Sequence, residues 1–180
     1  MNSIDSSVFI GYGNMGSAIV NSIYKKNIYK DILVIEPDKN KIEKKASKYI
    51  SFSHKFTKEL SDYKYVWFCV KPQSFRNIAK EIKPYLKSSQ IMISIMAGIT
   101  INQINDYTDH EKIIRIMPNP PAQISKGISV WNSTNNISKK EKNIIENSLN
   151  SFGKSIYVED ETMINLSTAL SGSGPGFLYR

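Results

Sequence analysis

Five short runs that are apolar except for Ser94 and Arg115 recur along the chain and constrain its fold more than any other feature. They span residues 8–10, 32–35, 65–70, 91–95 and 113–117. Strands that are apolar throughout, rather than at alternate positions, are buried on both faces of a mostly parallel sheet with helices on each side. The sequence therefore predicts an α/β fold with a mostly parallel, doubly wound sheet.

Helical patterns separate these runs, and the pattern changes near residue 158. One helix face carries Met15, Ala18, Ile19 and Ile23, and further helical stretches cover residues 78–86, 101–107 and 139–152, with Gly153 as the last one's stop. Later strands are predicted at 127–131 and 155–158. A helical stretch through Met163, Leu166 and Leu170 and a glycine-rich segment follow. We predict one domain over residues 1–158 and the start of a second over 159–180, which is too short for its own core.

Cysteine usage and hydropathy exclude several classes of protein. A single cysteine, Cys69, cannot form an internal disulfide or supply a cysteine-based metal cluster, which favours a reducing compartment. The longest nearly apolar stretch, residues 91–99, is far shorter than the ~18 residues of a membrane span. The first seven residues lack the features of a secretory or transit peptide. We therefore expect a cytoplasmic protein with no metal and no membrane partner.

The net charge of +8 suits partners that carry phosphate or carboxylate groups. The excess is lysine scattered along the chain, which favours a solvated surface over a nucleic-acid footprint. The densest group of lysines has helical spacing and predicts the solvent-exposed face of an amphipathic helix. This group comprises Lys41, Lys44, Lys45 and Lys48, and Ile42, Ala46 and Tyr49 lie on the opposite face.

The first predicted strand runs directly into a G-x-G-x-x-G pattern, residues 11–16, which opens the first helix. Gly11 allows a tight turn, Gly13 lets a pyrophosphate approach the backbone, and Gly16 permits close packing of helix on strand. The helix N-terminus adds unpaired N–H groups and the positive end of its dipole. The pattern predicts a Rossmann-like, dinucleotide-binding domain, with a purely structural glycine-rich turn as the alternative.

Glu36 ends the second predicted strand, about 20 residues beyond Gly16. A carboxylate there accepts hydrogen bonds from the adenosine ribose and repels a 2′-phosphate, so Glu36 favours NADH over NADPH. Lys39 and Lys41 could offset the repulsion if Glu36 turned outward. An exposed glutamate in a turn with Pro37 is the alternative.

The segments that follow the later strands are rich in proline and glycine. They are residues 70–72, 96–99 and 117–122. Ligands of open parallel sheets lie beyond the carboxyl ends of the strands, and proline stiffens these loops as platforms for a flat cofactor. A second glycine-rich run, residues 171–176, could gather backbone N–H groups around an anion or serve as a hinge between domains.

Five motifs in this order and spacing resemble the pyrroline-5-carboxylate reductase family. They are residues 11–16, 70–72, 97–101, 115–122 and 171–175, and the similarity covers essentially the whole chain. The last two motifs are specific to that family, whereas the first three occur in several related reductases. The resemblance implies reduction of the cyclic imine 1-pyrroline-5-carboxylate to L-proline by NADPH or NADH, the last step of proline biosynthesis.

The resemblance also implies a site between two domains, the second of them all-helical and dimerising, so that a homo-oligomer is expected. The positions that it assigns to the cofactor are Ile10, Gly11, Tyr12, Gly13, Asn14 and Met15 at the pyrophosphate, Glu36 and Pro37 at the adenosine ribose, and Val70, Lys71, Pro72, Ala97, Gly98 and Asn119 at the nicotinamide half. Those that it assigns to the substrate are Glu161, Ser171, Gly172, Ser173 and Gly174. No catalytic acid or base is assigned.

The sequence departs from the family pattern at several positions. Pro120 replaces a usual threonine, Asn165 a usual aspartate, Phe56 a frequent asparagine near the adenosine, and Glu36 a smaller polar residue. The chain also stops at Arg180, a few residues into the expected helical domain, so the remaining substrate-binding residues are missing and no turnover is expected from the chain alone.

Two other functions compete with this interpretation. One is a different NAD(P)-dependent reductase on the same scaffold, such as a 3-hydroxyacid dehydrogenase or another imine reductase. The other is a non-catalytic dinucleotide-binding fragment. Among the remaining polar residues, we expect Cys69 in the core and His54 and His110 at the surface, while Arg115 could meet either a phosphate or a structural carboxylate.

Overall fold

The computed structural model describes residues 6–42 and 49–167, which build one eight-stranded sheet. Its strands are β1 (Ser7–Ile10), β2 (Ile32–Ile35), β3 (Ile50–Ser53), β4 (Tyr65–Phe68), β5 (Ile91–Ser94), β6 (Ile113–Pro118), β7 (Gly127–Ser133) and β8 (Gly153–Tyr157). The spatial order is β3-β2-β1-β4-β5-β6-β7-β8. Only β6 and β7 pair antiparallel, which confirms the predicted, mostly parallel sheet.

Helices cover both faces of the sheet. They are α1 (Asn14–Lys25), α2 (Pro72–Ile82), α3 (Ile101–Thr108), α4 (Lys139–Asn150) and α5 (Thr162–Ser167). Helices α1 and α4 pack in one core cluster with Phe9 and Trp67, whereas α2 and α3 pack in a second cluster with Val8 and Phe68. Successive residues of one strand thus face opposite cores, which is why the central strands are mostly apolar.

Several elements differ from the prediction. Strand β3 has no apolar run, because at the edge of the sheet it alternates apolar Ile50 and Phe52 with two serines. The run at 65–70 leaves the sheet after Phe68, and Cys69 and Val70 form the start of a loop. Most of the lysine-rich helix, residues 43–48, lies outside the described residues, as does Leu170. The domain boundary near 158 stays a prediction.

The prediction that His110 is exposed is wrong. Its ring is buried, with Nδ1 at 2.8 Å from the carbonyl oxygen of Thr108 and Nε2 at 2.9 Å from that of Lys87. The charged residues that flank it in sequence point elsewhere because His110 follows the left-handed cap of α3 at Asp109. His54 is exposed, as expected. No helix in the described ranges is long and apolar enough to cross a membrane.

Glu141 fixes the start of α4 and pairs with two lysines. Its Oε2 accepts hydrogen bonds from the backbone N–H and the hydroxyl of Ser138, while Oε1 lies 3.1 Å from Lys112 Nζ and 3.7 Å from Lys64 Nζ. Burial acts to raise the pKa of Glu141, but the Ser138 and Lys112 contacts outweigh it and leave this pKa lowered. A carboxyl with a lowered pKa in the folded state stabilises that state above its unfolded pKa.

We therefore expect Glu141→Gln to lower the free energy of unfolding by about 1 kcal/mol at pH 7. The difference from the parent should shrink as the pH falls below the ordinary range of a glutamate, about 4.3, because the unfolded chain then takes up a proton that the folded chain takes up only at its lowered pKa. Urea titrations at pH 7 and pH 3.5 measure both values. A deficit of the same size at both pH values would contradict the assigned role of the charge.

Candidate functional site

A cavity of about 450 Å³ opens at the carboxyl ends of β1, β2 and β4. Sequence order reverses between β1 and β4, and ligands of open α/β sheets bind at this kind of switch point. The lining residues are Ile10, Gly11, Gly13, Ile35, Glu36, Pro37, Lys41, His54, Lys55, Phe56, Cys69, Val70, Lys71, Ser74, Ile78 and Glu81.

Two glycines of the first loop are required by close contacts. Gly11 has φ +99°, and a Cβ there would lie 2.7 Å from the carbonyl oxygen of Cys69. A Cβ on Gly16 would lie 2.7 Å from the carbonyl oxygen of Gly11. The predicted tight turn at Gly11 is confirmed. Gly16 packs closely, as predicted, but against the loop residues Gly11 and Cys69 rather than against a strand.

Gly13 differs from both, because a Cβ there would meet no heavy atom within 4 Å. It lines the cavity and is the N-cap of α1, where no side chain caps the helix and the first turn holds no acidic residue. By contrast, Thr100 and Ser138 cap α3 and α4 with complete capping boxes. The start of α1 therefore has no side-chain cap and has open space beside Gly13, which fits a diphosphate.

The side chain of Tyr12 anchors the glycine-rich loop in the core. Its ring is buried against Phe52, with the ring centroids 5.3 Å apart, and its hydroxyl donates to Asn21 Oδ1. Burial raises the pKa of Tyr12 despite that hydrogen bond. The side chain of Tyr12 is thus part of the core, and its backbone N–H bonds Glu36.

Glu36 is buried and turned inward. Its Oε2 accepts the N–H of Tyr12 at 2.8 Å, and its Oε1 accepts the N–H of Asp38 at 3.2 Å. Lys41 Nζ lies 3.5 Å from Oε1. The alternative of an exposed glutamate in a turn is therefore wrong, because Glu36 joins the end of β2 to the glycine-rich loop.

The cavity includes only part of the predicted cofactor set. The members that line it are Ile10, Gly11, Gly13, Glu36, Pro37, Val70 and Lys71; Tyr12, Asn14, Met15, Pro72, Ala97, Gly98 and Asn119 lie outside its lining. Ala97 and Gly98 are exposed in the loop between β5 and α3. Asn119 Oδ1 accepts a hydrogen bond from the backbone N–H of Ile128 at 2.8 Å. This side chain therefore stabilises the segment that connects β6 to β7.

Sequence reasoning assigned no role to several cavity residues. Ser74 and Ile78 follow Lys71 along α2 at helical spacing, a signal that could have found them. Lys55 comes after β3, which itself was not predicted. Phe56, which the resemblance placed near the adenosine, also lines the cavity. Cys69 packs against the core, as expected, and burial raises the pKa of its thiol, which argues against a nucleophilic role.

Arg115 meets a carboxylate rather than a phosphate. The side chain is 2% exposed, and its Nη1 lies 2.7 Å from Glu161 Oε1 while its Nη2 donates to Asn165 Oδ1 at 2.9 Å. Glu161 Oε1 also accepts the N–H of Ile101 at the start of α3. The predicted substrate residue Glu161 therefore connects β6, α3 and α5. The other predicted substrate residues, 171–174, lie outside the described part of the chain.

Comparisons with known proteins agree with this geometry. Residues 7–98 match the family described as NADP oxidoreductase, coenzyme F420-dependent. A pyrroline-5-carboxylate reductase of Staphylococcus haemolyticus is 35% identical over 177 residues, which cover 96% of this chain and 65% of that protein. The chain thus spans 65% of the length of this curated relative.

Two solved structures share the fold closely. The pyrroline-5-carboxylate reductase of Coxiella burnetii superposes with a TM-score of 0.89 at 26% identity, covering 98% of this chain and 67% of that one. The Plasmodium falciparum pyrroline carboxylate reductase with NADP bound has a TM-score of 0.81 at 28% identity, covering 98% and 66%. The chain therefore belongs to the family described as NADP oxidoreductase, coenzyme F420-dependent. It is also similar over nearly all of its length to pyrroline-5-carboxylate reductases.

Proposed function

We propose that this chain is the nucleotide-binding part of a pyrroline-5-carboxylate reductase. The activity is hydride transfer from NAD(P)H to the C=N carbon of 1-pyrroline-5-carboxylate, which gives L-proline and completes proline biosynthesis. The observation that carries the proposal is the cavity at the ends of β1, β2 and β4, into which the uncapped start of α1 opens. The names of the relatives supply the substrate class.

The dinucleotide follows the carboxyl edge of the sheet. The first turn of α1, with Gly13, Asn14 and Met15, holds the diphosphate, and Glu36 with Pro37 holds the adenosine ribose. The nicotinamide extends toward the loops after β4, β5 and β6, which contain Val70, Lys71, Pro72, Ala97, Gly98 and Asn119. Because β4, β5 and β6 are neighbours in the sheet, these loops lie side by side.

The reaction needs positioning more than acid–base chemistry, because a protonated C=N bond is already electrophilic. When bound, the reduced nicotinamide supplies the hydride from its C4 position. The residues of this chain need to hold the reacting atoms ~3–3.5 Å apart and to keep the substrate carboxylate in place. The backbone of Ser171, Gly172, Ser173 and Gly174 receives that carboxylate in this proposal. Arg115 and Glu161 fix α5, which leads to this segment.

We further propose that the protein is a cytoplasmic homo-oligomer. Apolar side chains stay exposed on β7, β8 and α5, and the second domain begins at α5 in this proposal. They are Ile128 and Ile156 on β7 and β8 and Met163 and Leu166 on α5. The single cysteine agrees with a reducing compartment. The proposed small-molecule substrate requires neither a nucleic acid nor a membrane.

An assay of reduced-nucleotide oxidation at 340 nm tests the activity. It uses the 180-residue chain and the same chain joined to the C-terminal third of its staphylococcal relative. We expect turnover of 1-pyrroline-5-carboxylate by the joined protein, and nucleotide binding with little turnover by the 180-residue chain. Reduction of another imine, or oxidation of a 3-hydroxyacid in the reverse direction, without activity on 1-pyrroline-5-carboxylate would indicate a different reductase. Binding without turnover in both proteins would indicate a non-catalytic module.

A further inference from the structure

We infer that Glu161 is a positioning residue for the nicotinamide end of the cofactor. Its carboxylate holds the end of the loop that contains Ala97 and Gly98. The role rests on the proposed function, because the proposed function places the nicotinamide at this loop. A residue that acts in this way needs no contact with the substrate, which is the role that the resemblance assigns to Glu161.

The loop between β5 and α3, residues 95–100, has a buried start and an exposed tip. The N–H of Met96 donates to Ser94 Oγ at 3.1 Å, and the Met96 side chain is buried. Ala97 and Gly98 are exposed, and a Cβ on Gly98 would meet no heavy atom within 4 Å. The position of this tip therefore depends on how the two ends of the loop are held.

The far end of the loop is held by a local cap and by a distant carboxylate. In the capping box of α3, the Gln103 N–H donates to Thr100 Oγ1 at 3.2 Å and the Thr100 N–H donates to Gln103 Oε1 at 2.9 Å. Both bonds lie within one turn, so they shape the start of the helix without connecting it to another element. The N–H of Ile101 donates to Glu161 Oε1 at 2.9 Å, across 60 residues of sequence. This bond connects the start of α3 to the rest of the fold.

Glu161 is itself anchored on two sides. Its Oε1 lies 2.7 Å from Nη1 of Arg115, which is buried in β6. Its backbone carbonyl oxygen accepts the N–H of Ile164 at 3.0 Å, and the Ile164 side chain is fully buried under α5. The carboxylate also lies at the N-terminal end of α3, where the helix dipole favours negative charge. Because β6 leads to the neighbouring loop with Asn119, Glu161 ties together two of the loops proposed for the nicotinamide.

The consequence for the cofactor is confined to one end of it. Glu161 is not among the described residues that line the cavity proposed for the adenosine and the diphosphate. Hydride transfer requires the reacting atoms to be held ~3–3.5 Å apart, so small shifts of the loop at the nicotinamide matter. Loss of the bond between Ile101 and Glu161 should therefore weaken the contacts of the nicotinamide and spare those of the rest of the dinucleotide.

The N–H of Ile101 can be removed without a change of charge. Ile101→Pro removes it at the first position of a helix, where proline is favoured. Thr100, with φ −84° and ψ 163°, already has the extended conformation that a residue before proline requires. Ile101→Ala is the matched variant, since it removes most of the side chain and keeps the N–H. The probes are NADH and ADP-ribose, which lacks the nicotinamide, and both are titrated calorimetrically into the 180-residue chain.

We expect the parent to bind NADH at least ~5-fold more tightly than ADP-ribose. Ile101→Pro should reduce this ratio to less than ~2-fold and leave the affinity for ADP-ribose within ~2-fold of that of the parent, whereas Ile101→Ala should lower the ratio by less than ~2-fold. Glu161→Ala should act like Ile101→Pro, and Glu161→Gln, which keeps an oxygen acceptor, should retain more of the ratio. Glu159→Gln removes an exposed carboxylate nearby and should leave both affinities unchanged.

Several results would overturn this role. They are the parent's ratio in folded Ile101→Pro, an equal loss of affinity for NADH and ADP-ribose, and an equal fall of the ratio in Ile101→Ala. A parent that binds ADP-ribose as tightly as NADH would overturn it too, because the loop would then contribute nothing for Glu161 to position. If Ile101→Pro does not fold, the parent's ratio in Glu161→Ala and Glu161→Gln decides against it. Binding of neither probe by the parent would contradict the proposed function as well.

Discussion

Arg115→Met is expected to lower the free energy of unfolding by about 3 kcal/mol. Arg115 is 2% exposed and is the partner of both Glu161 and Asn165. Methionine can fill the space of the aliphatic stem, but it leaves the Glu161 carboxylate without its cation and Asn165 Oδ1 without this donor. The loss should also release α5 from β6, because these hydrogen bonds connect the two elements.

Two further variants separate the ion pair from simple loss of an arginine. Arg76→Met removes an exposed arginine from α2 and should change the stability by less than about 0.5 kcal/mol. The double variant Arg115→Met with Glu161→Gln should lose less than the sum of its single changes, since the second change removes the stranded charge. Chemical denaturation of the parent, of both arginine variants, of Glu161→Gln alone and of the double variant measures these differences. An Arg115→Met chain as stable as the Arg76→Met control would contradict the role assigned to Arg115.

The second large effect is on binding: Gly13→Val should weaken dinucleotide binding by roughly 100-fold or more. A Cβ at Gly13 meets no protein atom within 4 Å and projects into the open space at the start of α1. Gly13 has φ −71° and ψ −172°, an extended conformation that valine adopts without strain. The melting temperature of the Gly13→Val variant should therefore match that of the parent, although the valine side chain fills the proposed place of the diphosphate.

Gly11→Ala serves as the comparison for Gly13→Val, because it should affect stability as well as binding. Gly11 has φ +99°, and its new Cβ would lie 2.7 Å from the carbonyl oxygen of Cys69, so this variant should lose stability together with binding. Thermal unfolding and calorimetry on both variants give the pattern. A Gly13→Val chain that binds NADH like the parent would place the nucleotide elsewhere.

The sheet could be predicted because its strands bury both faces. Val8, Phe9 and Ile10 enter opposite cores in turn, and only a strand covered on each side has this composition. Strand β3 could not be found in the same way, because an edge strand needs fewer apolar residues. The burial of His110 depends on the carbonyl of Lys87, whose position relative to His110 is set by the tertiary fold rather than by local sequence.

The features of the candidate site that depend on local backbone geometry could be predicted from the sequence. The contacts between side chains that are distant in sequence could not. The roles of Gly11 and Gly16 follow from the local loop, and the structure agrees. The partners of Glu161 do not follow from local sequence, because Arg115 and Ile101 belong to β6 and α3, which the fold brings next to Glu161. The same holds for Glu36, whose bond to Tyr12 N joins two strand ends and was not visible in a local turn motif.

The most direct test is a calorimetric titration of NADH into the 180-residue chain, repeated with the Gly13→Val variant. We expect saturable binding of one NADH per chain by the parent and at least ~100-fold weaker binding by the equally stable variant. Absence of saturable binding by the folded parent, or equal affinity in the two proteins, would contradict this expectation.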